Sequence, residues 1–322
     1  MLINSDRSLF FSKGDINDKR LGDIVCKNVD EITSETKIAI IGCPQDIGVK
    51  RNGGRIGSSK APFEIRKSFY KLTPFDVETE LSIPEGLIVD FGNIDVTGSL
   101  EKIHERLQNS VEFAISKNLT PIIIGGGHDI TYPSCKGISN KFENVSIINF
   151  DPHLDARPCN PLRNSGTSFR MLIEEGIINP KNVIVFGIQS GVNSENQYRW
   201  MKEQGVNLFT LPRIRKGGFD NTLSEALEIA LSTNALYTTI DIDSIMSAFA
   251  PGVSASATDG FTPNEILGLS RELGSQRKVI CLDIAEVNLV YESDLRTSRL
   301  ASQIILHFVF GYLERDFLQN TI

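Results

Sequence analysis

The segment Val145-Ser146-Ile147-Ile148-Asn149-Phe150-Asp151-Pro152-His153-Leu154-Asp155 runs from a largely apolar stretch straight into three ligand-type side chains. A short, near-continuous apolar run is how a strand reads when both faces of a parallel sheet are covered. Seven more runs read the same way, at 37–43, 87–92, 121–125, 183–188, 207–211, 235–241 and 278–283. Amphipathic stretches predict helices at 61–72, 99–118, 130–142, 168–176, 194–204, 222–232, 263–274 and 298–318. Ser99 ahead of Glu101, and Thr262-Pro263-Asn264-Glu265, carry helix-start signals. Strand–helix order repeated eight times predicts an α/β domain with right-handed crossovers. A closed eight-stranded barrel and an open doubly wound sheet both satisfy that order, and periodicity does not choose between them.

The chain has 322 residues, with 33 Lys and Arg against 40 Asp and Glu, a formal net charge of −7. An acid excess argues against a nucleic-acid or anionic-membrane surface, since both need clustered cations. No apolar run approaches the roughly 18 residues of a membrane helix; the longest candidate, 304–313, is interrupted by His307 and Gly311. No signal-peptide core follows Asp6 and Arg7, and five scattered cysteines fit a reducing cytoplasm better than a disulfide framework. The first 36 residues are polar and weakly patterned and read as an N-terminal extension packed on a single catalytic domain, 37–322.

Polar loops at 44–60, 156–167 and 244–262 follow strand ends, where α/β proteins place their sites. Alternate residues of an extended segment point to one side, so Asp151, His153 and Asp155 present three groups in one direction. Asp241-Ile242-Asp243 repeats the arrangement with two carboxylates. Gly125-Gly126-Gly127-His128-Asp129 places His128 at a strand-to-helix turn, its glycines read as allowing close backbone approach to the site. Each piece alone is ordinary turn or capping chemistry. Together, four carboxylates converging at sheet ends repel one another and lose hydration. A pair of divalent cations removes that penalty. An oxygen-rich set with two imidazoles and no thiolate favours Mn²⁺, with Fe²⁺, Co²⁺ and Zn²⁺ as rivals, over a structural zinc site. Two such ions make a hydroxide nucleophile near neutral pH. The residues thus read as a binuclear metal hydrolase, and they leave the bond it cuts unnamed.

In these motifs the chain resembles the ureohydrolases: arginase, agmatinase and formimidoylglutamase. The resemblance is carried by GGGHDIT (125–131), FDPHLDAR (150–157), DIDSIMSAFAPGVSA (241–255) and DIAEVN (283–288), in order, over roughly residues 40–310. It implies a three-layer α/β/α fold with an eight-stranded parallel sheet, which selects the open sheet. It implies two Mn²⁺ held by His128, Asp151, His153, Asp155, Asp241 and Asp243, with Asp155 also carrying the proton to the leaving amine and Glu286 pairing with the substrate amidine. It implies a homo-oligomer. Pro152, where the family commonly has Ala, and Ser244-Ile245-Met246-Ser247, in place of an Asp-Pro segment, depart from the pattern.

Within the family the chain looks most like formimidoylglutamase. Asn164-Ser165-Gly166-Thr167-Ser168-Phe169-Arg170 is similar to that subgroup's N-S-G-T-P-F block, with Phe169 where arginase has a histidine, and APGVSA (250–255) replaces APGTGTP. The implied reaction, from histidine degradation, is N-formimidoyl-L-glutamate plus water to L-glutamate and formamide. The alternatives are a urea-releasing agmatinase, arginase or guanidino-acid hydrolase, and a non-catalytic protein that retains the fold. Charge supports an anionic substrate: Arg157, Arg163 and Arg170 follow the metal strand, and Arg51 and Arg55 lie in the first loop. Arg157, Arg163, Asn164 and Ser165 are the expected substrate contacts. Cys159 reads as an inert loop thiol, His104 as a solvated residue of a charged helix, and His307 as packed.

Overall fold

The computed structural model describes residues 2–317, the last two by backbone alone. All eight predicted runs form strands, and a ninth precedes them: β1 (Leu2–Ile3), β2 (Ile38–Gly42), β3 (Ile88–Ile94), β4 (Thr120–Ile124), β5 (Val145–Phe150), β6 (Val183–Ile188), β7 (Asn207–Thr210), β8 (Ala235–Asp241) and β9 (Val279–Ala285). They make one sheet in the order β1-β3-β2-β4-β9-β8-β5-β6-β7. Every pairing is parallel except β1 with β3, and among the described residues β1 and β7 stand as unpaired edges, so the sheet is open. The expected eight parallel strands are therefore joined by one antiparallel edge strand. Two residues carry no readable period, and β1 is held instead by its ladder to Ile94 and Asn93 and by Ser5, whose hydroxyl donates to Asp90 at 2.9 Å.

Successive strand residues feed opposite cores. Ile38, Ile40, Ile122 and Ile124 face the helices Ala61–Phe69, Phe219–Ala230, Pro263–Ser275 and Arg296–Phe317. Ala39, Ile41 and Ile123 face Leu100–Ser116, Thr131–Ser139, Ser168–Glu174 and Glu195–Gln204. Both faces are dry, which is why the strands read as unbroken apolar runs rather than as alternations. The expected helix end at residue 318 lies outside the described residues. Ser99 caps its helix through Lys102 N–H, and Thr262 and Glu265 form a reciprocal capping box. Short helices Ile47–Arg51 and Leu211–Gly217 were not anticipated. The second starts where Thr210 caps Arg213 N–H and Pro212 takes the first turn, with no polar linker after β7 to announce it. Among the described residues no helix is long and apolar enough to cross a membrane.

Candidate metal centre and substrate pocket

Four strands adjacent in the sheet, β4-β9-β8-β5, come from two well-separated stretches of the chain, β4 with β5 and β8 with β9, and their C-terminal ends carry the predicted ligands. His128 begins a 3-10 turn beyond β4, Glu286 follows β9, Asp241 ends β8 with Asp243 in the next turn, and Asp151 follows β5. Chain order breaks between these strands, which opens the crevice where α/β sheets bind ligands. The D-x-H and D-x-D spacings have a local cause. Asp151 Oδ1 accepts the His153 N–H at 2.7 Å, and Asp241 Oδ1 accepts the Asp243 N–H at 2.7 Å. Each Asp closes its own turn with one oxygen and turns the other toward the centre.

Those second oxygens, with one from Asp155, meet a single imidazole nitrogen. His128 Nδ1 lies 3.1 Å from Asp151 Oδ2, 3.0 Å from Asp155 Oδ2 and 3.2 Å from Asp241 Oδ2. It is buried, and none of these contacts has hydrogen-bond geometry. His153, Asp241 and Asp243 form a second group sharing Asp241, and within each group the ligand atoms lie within 4.8 Å of one another. Among the described residues, none of these carboxylates is paired with Lys or Arg; their ion-pair contacts are to His128 and His153 alone. Asp155 and Glu286 hold φ of +43° and +68°, a left-handed backbone that side chains with a Cβ seldom adopt and that recurs at functional sites. Glu286 Oε1 accepts the His128 N–H at 2.8 Å, and its Oε2 is buried without a partner.

The electrostatics follow from burial and crowding. Burial and the Asp151 charge push the Asp241 carboxyl up to about 6. Burial with the same Asp151 charge raises Asp155, and burial with the Asp241 charge raises both Asp243 and Glu286. Asp151 goes the other way: burial disfavours its charge, but the His128 and His153 contacts outweigh it. His153, whose burial favours the neutral ring, is carried up to about 10 by Asp151. A group of acids this short of cations suits divalent metal.

The groups open into a cavity of about 290 Å³ whose walls include Asn52, Arg55, Arg157, Ser165, Asn193 and Gln197. The five candidate arginines separate here. Arg51 pairs with Glu101 at 2.8 Å and donates to the Arg163 carbonyl. Arg55 donates to the carbonyls of Val253 and Ser254 and stacks 3.7 Å from the Tyr291 ring centroid. Arg163 lies over Tyr132, and Arg170 over Trp200 with Glu174 as its ion pair; neither lines the cavity. Arg157 lines it, is exposed, and pairs with no described carboxylate. Its stem rests on Gly166, where a Cβ would come within 2.8 Å of Arg157 Cδ. Ser165 also lines the cavity and accepts from Asn52, whereas Asn164 closes its own loop through the Gly166 N–H.

The Arginase family model matches residues 36–311. The chain belongs to the arginase family. It is 32% identical over 289 residues to the formimidoylglutamase of Staphylococcus haemolyticus, covering 88% of this chain and 89% of the relative. Among solved structures, Trypanosoma cruzi formiminoglutamase with two Mn²⁺ superposes with a TM-score of 0.86 at 30% identity, covering 92% of this chain and 99% of the other. Formimidoylglutamase from Bacillus subtilis gives 0.87 at 26% identity, covering 94% of each.

Set in this family, the departures are accommodated. The Pro152 carbonyl accepts from Gln189 N–H and Asn193 Nδ2, and Ser244 Oγ donates to the Asp241 carbonyl. Phe169 is buried with its ring 6.2 Å from that of His128, edge to face, on the core side of the histidine. Within the glycine run a Cβ on Gly126 would lie 1.5 Å from the Gln45 carbonyl oxygen, a close approach to the first loop, and the Gly126 carbonyl accepts the Glu286 N–H at 2.9 Å. His104 corrects a further expectation. It is 3% exposed, and its Nε2 lies 2.7 Å from Asp129 Oδ2, an atom that also accepts from Gln45 Nε2. The flanking charges Glu101, Lys102, Glu105 and Arg106 disguised the one helix face that turns inward. Asn193 also escaped notice: it accepts the Leu154 N–H and steadies the His153 segment. No motif marks it, because its work is done on backbone groups of another loop.

Proposed function

We propose that the chain is a binuclear manganese hydrolase of linear amidines that converts N-formimidoyl-L-glutamate and water to L-glutamate and formamide. The observation that carries this reading is the buried His128 Nδ1 ringed by three carboxylate oxygens, with a second group sharing Asp241. An unpaired imidazole nitrogen amid cation-free acids is what a metal shell leaves when the metal is subtracted. His128, Asp151, Asp155 and Asp241 would hold one ion, and His153, Asp241 and Asp243 the other, with Asp151 near both imidazoles. When bound, the ions supply Lewis-acid activation of water near neutral pH and offset the acid charge.

The rest is done by the chain. Glu286 keeps one oxygen on the His128 N–H and offers the other, unpartnered Oε2 to the amidine cation, fixing its carbon over the centre. Asp155, a member of the first ligand group whose side chain is 12% exposed, is placed to carry a proton to the departing amine. Arg157 takes a substrate carboxylate, with Ser165 and Asn52 beside it. Arg163 and Asn164 act on the shape of that loop rather than on the substrate. The cavity carries acids only at the metal end, which disfavours a substrate with a free terminal ammonium such as agmatine. All five cysteines are free, which supports a reducing, cytoplasmic setting. Assembly of copies belongs to this reading and is checked by light scattering.

Manganese-loaded protein incubated with N-formimidoyl-L-glutamate should release formamide and glutamate in equal amounts. Urea release from a guanidine panel, with no formamide, would replace this reading with another amidinohydrolase. No turnover of any amidine would reduce it to a metal-binding relic of the fold.

A further inference from the structure

The acid of the D-I-A-E-V-N motif that the function has not used is Asp283. It sits within β9 at 0% exposure, and no Lys or Arg among the described residues forms an ion pair with it. Its contacts are three hydroxyls: Thr239 Oγ1 donates to Oδ1 at 2.6 Å, Thr131 Oγ1 to Oδ2 at 3.3 Å, and Tyr237 OH also to Oδ2. A buried carboxylate served only by hydroxyls is a costly way to fill a core. The same Thr239 hydroxyl lies 2.8 Å from His128 Nε2.

Hydrogen accounting sets the direction of that chain. A hydroxyl has one proton to give, and a carboxylate can only accept. Thr239 therefore gives its proton to Asp283 and must accept from His128, which requires Nε2 to carry the hydrogen. The other nitrogen, Nδ1, then presents its lone pair to the Asp151, Asp155 and Asp241 oxygens. We infer that Asp283, acting through the Thr239 hydroxyl, is the positioning residue that fixes the orientation and tautomer of His128 for metal. Thr239 lies two residues before Asp241 on β8 and hence on the same face, so one strand supplies both a ligand and the support for a ligand on its neighbour's neighbour. The same offset recurs on β5, where Asn149 Nδ2 donates to Asp151 Oδ2 at 3.2 Å.

The inference rests on the metal reading above, and its test uses Mn²⁺ alone so that substrate identity does not enter. Full-length wild type, Thr239→Val, Thr239→Ser and Asp283→Asn are dialysed to equilibrium against Mn²⁺. Bound metal is counted per chain, and the melting temperature of each metal-free protein is recorded. Thr239→Val keeps the shape and loses the hydroxyl; Asp283→Asn lets the donor pattern reverse. Both should weaken binding of one equivalent by about 10- to 100-fold, while Thr239→Ser stays at wild-type affinity and the metal-free Thr239→Val protein melts close to wild type. Wild-type affinity in Thr239→Val overturns the inference, as does a Thr239→Ser protein as weak as the valine variant. If Asp283→Asn does not fold, the Val and Ser pair decides. A wild type that binds no Mn²⁺ brings down the metal reading and this inference together, whereas tight Mn²⁺ binding without amidine turnover brings down the substrate alone.

Discussion

Asp90 and Asp241 are both carboxylates sealed at the sheet, 0% and 2% exposed, and the chain treats them in opposite ways. Asp90 is met by Arg66, itself 1% exposed, whose Nε and Nη2 lie 3.0 Å from Oδ2 and Oδ1. Tyr70 and Ser5 donate to it as well, at 2.6 and 2.9 Å. Its charge is balanced by a cation of the chain itself, and the result ties β1, β3 and the helix Ala61–Phe69 together. Asp241 stands among Asp151, Asp155, Asp243 and Glu286 with two imidazoles and no guanidinium. Its balance has to come from outside the chain. A buried acid with a built-in partner is a structural device; a group of them without one is a receptor for cations.

Exchanging the partners tests that contrast. Asp243→Ala removes a ligand from the second group, and it should lose one Mn²⁺ per chain and at least about 100-fold of activity, more than loss of an outer support costs. The metal-free variant should melt no lower than wild type, since one repelling charge has gone. Full activity with one ion per chain would overturn the binuclear assignment. Arg66→Met should do the reverse. Stranding Asp90 costs about 3–5 kcal/mol of stability, read by denaturant unfolding, with two Mn²⁺ still bound by the protein that remains folded.

The same contrast explains what could be read before the structure was seen. The parallel sheet was legible because its strands are buried on both faces, and the ligands were legible because i, i+2 spacing on a strand end is itself geometry. Asp151, His153, Asp241 and Asp243 come in such pairs. What escaped were residues whose partners lie across the fold. His104 meets Asp129 over 25 residues, Thr239 meets Asp283 over 44, and Ser5 meets Asp90 over 85. No local period encodes a hydrogen bond of that reach. Charge alone also does not rank the arginines: sequence proximity to the site is shared by Arg51, Arg55, Arg157 and Arg163, and carbonyls, Glu101 and aromatic faces engage three of them.

Arg157 is the mirror image of Asp241, a cation at the site whose partner the described chain does not supply. Arg157→Ala should lower kcat/KM for N-formimidoyl-L-glutamate by about tenfold, the loss of one exposed charge-assisted hydrogen bond, chiefly through KM. Arg163→Ala should change it less, since that guanidinium faces Tyr132. Equal losses in steady-state kinetics would place both arginines on the substrate and erase the distinction between engaged and open cations.

The mildest test is pH. In the metal-free protein, burial and Asp151 lift Asp241 from 3.8 to about 6, so between those values the folded state binds more protons than the unfolded chain. Stability then falls as pH rises through that window. His153 adds the same sign higher up: burial opposes its charge, but Asp151 lifts it from 6.5 to about 10, so its stabilisation is complete below 6.5 and is lost as pH climbs to about 10. Arg66 contributes no such slope across this range, because a guanidinium stays charged throughout it. Metal-free protein should therefore melt at progressively lower temperature from pH 4 upward, on the contribution of this centre. Mn²⁺ competes with those protons, so saturating Mn²⁺ should reverse the slope, with added ion stabilising more as pH rises from 5 to 7. Parallel melting curves with and without Mn²⁺ across that interval would mean that the ion binds elsewhere than on these acids.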